Sequence, residues 1–269
     1  MQSTPEWIAA HRTRSQAAAY ADFYGRRDAL RWLFRFDVRY RCRRLLEVAH
    51  ELGLDLEGRS VLDVGFGGGH LLAAFPRSCT LWGADVSRSA VERAARDPRF
   101  GRWRGARFVE VREDDPEDLP PGPFDVVLSS HALEHVPDDR ALLAAVRRRL
   151  APGGTFFLFV PIEEPDYNPD HVRNYSVETI RERVRDAGFE VLFVEGSMHV
   201  NGHVWKVITI PSRRRWPVLR GVVDGLRLAT LSALTYRGQR FFDAALDRWG
   251  FGPRQAFLVC RSRPGAAGS

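Results

Sequence analysis

Short apolar runs alternate along this chain with longer stretches whose apolar residues recur at helical spacing. Leu30, Leu33, Phe34, Val38, Cys42, Leu45, Leu46 and Ala49 mark one face of a helix within residues 13–50. Gly25 offers a break in that region and Gly53 a stop. Compact apolar runs then predict strands at 60–64, 80–84, 106–111, 124–129, 155–160, 189–194 and 256–260. Between them, helices are expected from His70, over 87–96 with Ser87 as N-cap, over 138–150 before the LAPGG turn, and over 176–187 before Gly188. Residues 217–249 read as a helical insertion, and 204–210 could be a strand or irregular chain. This alternation is that of an α/β fold: a doubly wound, mostly parallel, seven-stranded sheet with N-terminal helices and an insertion before the last strand. The expected organisation is a helical cap over 1–55, a core over 56–196, the insertion over 197–253, a final core strand over 254–263 and a flexible tail over 264–269.

Composition changes this picture little. The chain has 269 residues, of which 44% are hydrophobic, enough for one substantial α/β domain with additions. Its net charge of +6 is concentrated at the flanks. Residues 1–50 hold ten Arg against five acidic residues, and residues 212–252 hold eight Arg against three Asp. Such flanks are compatible with a solvated face, an anionic substrate, a nucleic acid or an anionic membrane. Cys42, Cys79 and Cys260 are widely spaced and predict neither a disulfide framework nor a zinc site. A secretory leader and an 18-residue apolar stretch are both lacking, so a cytoplasmic protein without a transmembrane segment is expected.

The chemistry concentrates in VLDVGFGGGH, residues 61–70. A strand runs into Gly65, Gly67, Gly68 and Gly69, where missing Cβ atoms permit a tight turn and a close ligand. The N–H groups of a following helix would favour a carboxylate or phosphate. Asp85 ends the next strand, placed to accept hydrogen bonds from two ribose hydroxyls. These features alone serve a dinucleotide as well as a nucleoside. The GK[ST] ending of a phosphate-gripping loop is absent.

Further elements follow in order: GADVS, DDPEDLP, FDVVLSSHALEHVPD, LAPGG and AGFEV. From about Ser60 to Glu195 the sequence resembles the class I S-adenosylmethionine-dependent methyltransferases, particularly the small-molecule branch, with their Rossmann-like sheet. The resemblance implies S-adenosyl-L-methionine as cofactor. Gly65, Gly67 and Gly69 would underlie its amino-acid end, with Asp63 supporting the turn and orienting the ammonium. Asp85 would hold the ribose and Val86 would touch adenine. The acid facing the adenine amino group is Asp115, with Pro116 unable to donate the usual N–H, or Asp114 in a register shifted by one. Ser130 and His131 resemble residues lining the methyl-transfer pocket.

The resemblance identifies the reaction better than the acceptor, because the cofactor's sulfonium already activates the methyl group. A small-molecule hydroxyl in a specialised-metabolite or coenzyme pathway is the expected acceptor. The alternatives are N- or C-methylation, RNA methylation, or a non-catalytic S-adenosylmethionine-binding module. Tyr20 and Tyr24 in the N-terminal segment, with His131, His171, Arg173 and Tyr175, are the candidates for acceptor contact. His171 is favoured over His131 as a base for a hydroxyl. No spaced set of metal ligands stands out. Residues 213–221, RRRWPVLRG, are compatible with peripheral membrane contact, while nucleic acid ranks last among partners. The sequence leaves the oligomeric state open.

Overall fold

The computed structural model describes residues 36–162, 171–199 and 236–262. Tyr20, Tyr24, the 213–221 segment and the expected tail lie outside them. Helix α1 spans Phe36–Glu51 and leads to β1 at Ser60–Val64. β2 (Thr80–Asp85), α2 (Arg88–Ala95) and β3 (Gly105–Glu110) follow, then β4 (Phe124–Ser130), α3 (Asp139–Arg149) and β5 (Leu150–Pro161). The last elements are α4 (Val177–Asp186), β6 (Phe189–Ser197), α5 (Tyr236–Arg248) and β7 (Gln255–Ser262).

The sheet order is β3-β2-β1-β4-β5-β7-β6, with β7 antiparallel to both neighbours and the other pairings parallel. This is the expected seven-stranded, mostly parallel arrangement. The central strands read as unbroken apolar runs because both of their faces are covered. On β5, Phe156, Leu158 and Val160 join the core beneath α3 and α4, while Phe157 and Phe159 face the core shared with α1. β7 repeats the alternation, and Phe257 stacks on Phe159 across the ladder at 4.0 Å between ring centres. On α1, Val38, Leu45 and Ala49 are buried as expected, whereas Leu46 is exposed.

Ser87 caps α2 through its side chain as expected, and Ser176, not singled out as a cap, forms a capping box with Thr179 at the start of α4. The expected helix from His70 does not form. One 3₁₀ turn, Leu72–Ala74, takes its place. Pro76 is the physical reason: it disfavours helical geometry in the preceding residue, and Phe75 is extended at ψ 155°. The glycine turn therefore opens onto a single tight turn rather than a long helix.

Candidate active site

The sheet order reverses between β1 and β4, so the chains leaving their carboxyl ends diverge and open a crevice. A cavity of about 330 Å³ occupies that edge. Its wall includes Asp63, Gly65, Gly67, Asp85, Val86, Asp115, Ser130 and His131, which brings together most of the residues expected around the cofactor. Gly69 and Asp114 do not line it.

The glycine turn is held by steric need. Gly65 has φ +76°, and a Cβ there would lie 2.5 Å from that of Ala132. Gly69 supports the turn from behind: its φ is +65°, and a Cβ would meet the Phe100 ring at 2.7 Å. Asp85 ties the turn to β2. Its carboxylate accepts from the Gly67 N–H at 2.8 Å and the Ser87 N–H at 2.9 Å. Burial raises its pKa, opposed by those two donors. Asp63 is buried nearby, and its Oδ1 has no hydrogen-bond partner among the described residues. Burial lifts its carboxyl well above the usual range, Asp85 adds to the rise, and Arg41 opposes it. A buried carboxyl with an open oxygen, lining a cavity, suits a cationic ligand group.

Arg41 was not anticipated from sequence. It projects from α1 onto the cavity wall, where it donates to Ser130 Oγ at 2.9 Å and pairs with Asp37 at 2.9 Å. In the sequence it is one arginine among ten in the first fifty residues. The helical period does mark it, one step from the cysteine on the buried face.

His131 follows β4 with φ +56°, a left-handed conformation unusual for a residue with a side chain. Its backbone N–H donates to Phe159 at 2.9 Å. Its Nε2 meets Gln255 Oε1 at 3.0 Å, and Gln255 in turn donates to Ser197 Oγ at 3.2 Å. An amide oxygen accepts, so Nε2 carries the proton and the Nδ1 lone pair is left available. That Nδ1 lies 3.8 Å from the buried Glu134 carboxylate. Burial and the Arg41 guanidinium push the imidazole down to about 3, with the Gln255 bond opposing.

The other acceptor candidates are placed differently. His171 is absent from the cavity wall, and its ring packs edge-on against His135, 4.8 Å between centres. His135 itself lines the cavity. Arg173 donates to the Val136 carbonyl at 2.6 Å and the Pro137 carbonyl at 2.5 Å. Tyr175 is buried, with its hydroxyl on Asp139 at 2.8 Å. Arg173 and Tyr175 therefore tie the chain entering α4 to the start of α3, and neither lines the cavity. Asp115 lines the cavity but also caps the turn at Pro116–Asp118, accepting from the Glu117 N–H at 3.0 Å and pairing with Arg112.

One cluster bears on the sequence-based expectation of no metal ligands. The ligating atoms of Glu134, His135 and His171 lie within 4.8 Å of one another, so these side chains could hold a metal ion. Thirty-six positions separate the two histidines, and only the tertiary fold brings them together.

A family profile described as "Methyltransferase domain" matches residues 32–194. The chain belongs to that family. With its fold, it is a member of the class I S-adenosylmethionine-dependent methyltransferases. This methyltransferase is 39% identical over 103 residues to the ubiquinone biosynthesis O-methyltransferase of Thiobacillus denitrificans, covering 38% of this chain and 44% of the relative. It is 40% identical over 111 residues to that of Xanthomonas oryzae pv. oryzae, covering 39% and 44%. The matched stretch thus spans less than half the length of these curated relatives. Among solved structures, the [4+2]-cyclase SpnF is similar with a TM-score of 0.55 and 23% identity, covering 83% of this chain and 81% of that one. StiE O-MT is similar with a TM-score of 0.55 and 19% identity, covering 84% and 74%. At these identities the structural likeness carries the fold alone. Among the described residues, no helix is long and apolar enough to cross a membrane.

Proposed function

We propose that this chain transfers a methyl group from S-adenosylmethionine to a hydroxyl of a small molecule, in a coenzyme or specialised-metabolite pathway. The observation that carries this reading is the cavity that joins the buried Asp63 and Asp85 carboxyls to His131. The names of the curated relatives support oxygen as the acceptor atom.

The residues present fit the cofactor. Asp85, fixed by two backbone donors, retains lone pairs for the ribose hydroxyls. Asp63 Oδ1 is open for the ammonium group, and Arg41 offers a cation for the carboxylate. Gly65 and Gly67 keep the turn low beneath that end. Val86 provides an apolar wall for adenine, with Asp115 in preference to Asp114 on the same side. The cap expected over 1–55 is supported by α1, whose Asp37, Val38 and Arg41 line the cavity. The core spans 56–196, the insertion 197–253 and the last strand 254–263. Its three free cysteines suit a cytoplasmic setting.

When bound, S-adenosylmethionine supplies a methyl carbon on a positively charged sulfur, open to displacement by an oxygen lone pair. The chain's remaining task is to align the acceptor hydroxyl and remove its proton. His131 is the base in this reading, because it lines the cavity while His171 packs behind His135. Desolvation and the Arg41 guanidinium hold its pKa below the usual imidazole value, which favours the neutral ring. A weak base suffices because an alkylated hydroxyl becomes strongly acidic as the new bond forms.

The test is a transfer assay with methyl-labelled S-adenosylmethionine and a panel of phenols, alcohols and amines. Label is expected in O-methyl products, and His131→Ala is expected to slow transfer by roughly 10²–10⁴ with cofactor affinity retained. Label found only in N-methyl products would overturn the reading.

A further inference from the structure

Two residues other than glycine hold a left-handed backbone among the described residues, His131 at φ +56° and Met198 at φ +65°. Each stands just past the carboxyl end of a strand, His131 after β4 and Met198 after β6. β7 runs antiparallel to its neighbours, so its first residue, Gln255, lies at the same edge, in register with Ser197 at the end of β6. Gln255 and Ser197 are both buried. The Gln255 amide spans the space between the two strands. Its oxygen faces His131 Nε2 at 3.0 Å, and its nitrogen donates to Ser197 Oγ at 3.2 Å. Met198 is then held from outside the sheet. Its N–H donates at 3.0 Å to Asp243, a buried carboxyl on α5. A continuous line of contacts therefore runs from α5 to the His131 imidazole.

We propose that Asp243 is a positioning residue for His131, acting through Met198, Ser197 and Gln255. The proposal rests on the reading of His131 as the base. What Asp243 controls is the imidazole tautomer, for which two groups compete. Gln255 Oε1 draws the ring proton to Nε2 and leaves Nδ1 to accept from a hydroxyl. The Glu134 carboxylate, 3.8 Å from Nδ1, draws the proton the other way and would close that acceptor. Gln255 prevails while its oxygen faces the ring, but an amide that turns over presents its nitrogen instead. Ser197 opposes that turn by taking the amide nitrogen on the far side. The place of Ser197 depends in turn on the left-handed bend at Met198, which a side chain disfavours and which needs an outside hold. The charge-assisted bond from the Met198 N–H to Asp243 supplies it. The helix before the last strand thus reaches the reacting edge although Asp243 does not line the cavity.

The experiment is ¹⁵N NMR of the full chain with labelled histidine, His131 being assigned by the signals lost in His131→Ala. The wild type is expected to carry its proton on Nε2. Asp243→Ala is expected to cut the ratio of Nε2-protonated to Nδ1-protonated ring by about ten-fold, as loss of one hydrogen bond allows, and Ser197→Ala to do the same. Asp243→Asn keeps an oxygen for the Met198 N–H and should retain the wild-type ratio. A role confined to docking α5 would not depend on residue 198. Glycine takes a left-handed φ without strain, so adding Met198→Gly to Asp243→Ala should restore the ratio. A wild-type ring protonated on Nδ1, or a tautomer unchanged by Ser197→Ala, would overturn the proposal. So would a folded Asp243→Ala with the wild-type tautomer, or a double variant no better than Asp243→Ala alone. Where Asp243→Ala does not fold, Ser197→Ala decides. Turnover enters none of these measurements, so His131→Ala with undiminished transfer would remove the base and leave the control of the ring to the spectra.

Discussion

Asp63 and Asp85 share one buried wall, and burial raises both carboxyl pKa values. Below its raised pKa a carboxyl is neutral, and a cationic ligand favours the charged form, so cofactor binding at pH values just above the ordinary carboxylate range must expel protons. Titration calorimetry in two buffers of different ionisation enthalpy should show net proton release there, with affinity falling as pH falls. Proton uptake would contradict this. Without ligand the same raised pKa is a stability cost that grows as pH rises above the unfolded value. Asp63→Asn should therefore raise the apo melting temperature by about 2–6 °C at neutral pH while weakening the cofactor. A second residue-scale prediction concerns Gln255, which faces His131 Nε2. Gln255→Glu places a carboxylate against that N–H and should lift the imidazole from about 3 toward neutrality, read by ¹⁵N NMR titration of His131. An unchanged titration would remove Gln255 from control of that ring. Asp63, the glycines and Asp85 were legible because their chemistry is local to one turn. The contacts of Arg41 with Ser130, of Gln255 with His131 and of His171 with His135 were not, because each is made only by long-range packing.

Elements were legible where one local rule decided them. The strands announced themselves through apolar runs covered on both faces, and Ser87 caps the helix as expected. The apolar residues after the glycine turn suit a helix, but Pro76 holds Phe75 extended and ends it after one turn. What holds α1 in place was equally hidden. Arg44 is nearly buried and reaches Glu195 on β6 at 2.7 Å, Glu47 at 2.8 Å and Glu51 at 3.0 Å. Its sequence neighbourhood shows only another arginine on a basic helix. Arg44→Met should cost about 1.5–3 kcal/mol in urea unfolding, because Glu195 loses its nearest cation while the more exposed Glu47 and Glu51 turn to solvent. A change under 1 kcal/mol would show that solvent already satisfies them.

At the scale of the whole molecule, the sheet order and the family agree on a cofactor-binding scaffold, while the acceptor stays a matter of the site. The fold is shared with a protein named as a [4+2]-cyclase, so architecture alone does not choose the reaction. The cavity takes S-adenosylmethionine, and a crystal structure of the full chain with S-adenosylhomocysteine tests this most directly. The ribose hydroxyls are expected on Asp85, the amino group toward Asp63, the carboxylate toward Arg41 and the adenine beside Val86. A nucleoside bound away from these carboxylates, or a cavity that stays empty at saturating ligand, would contradict it.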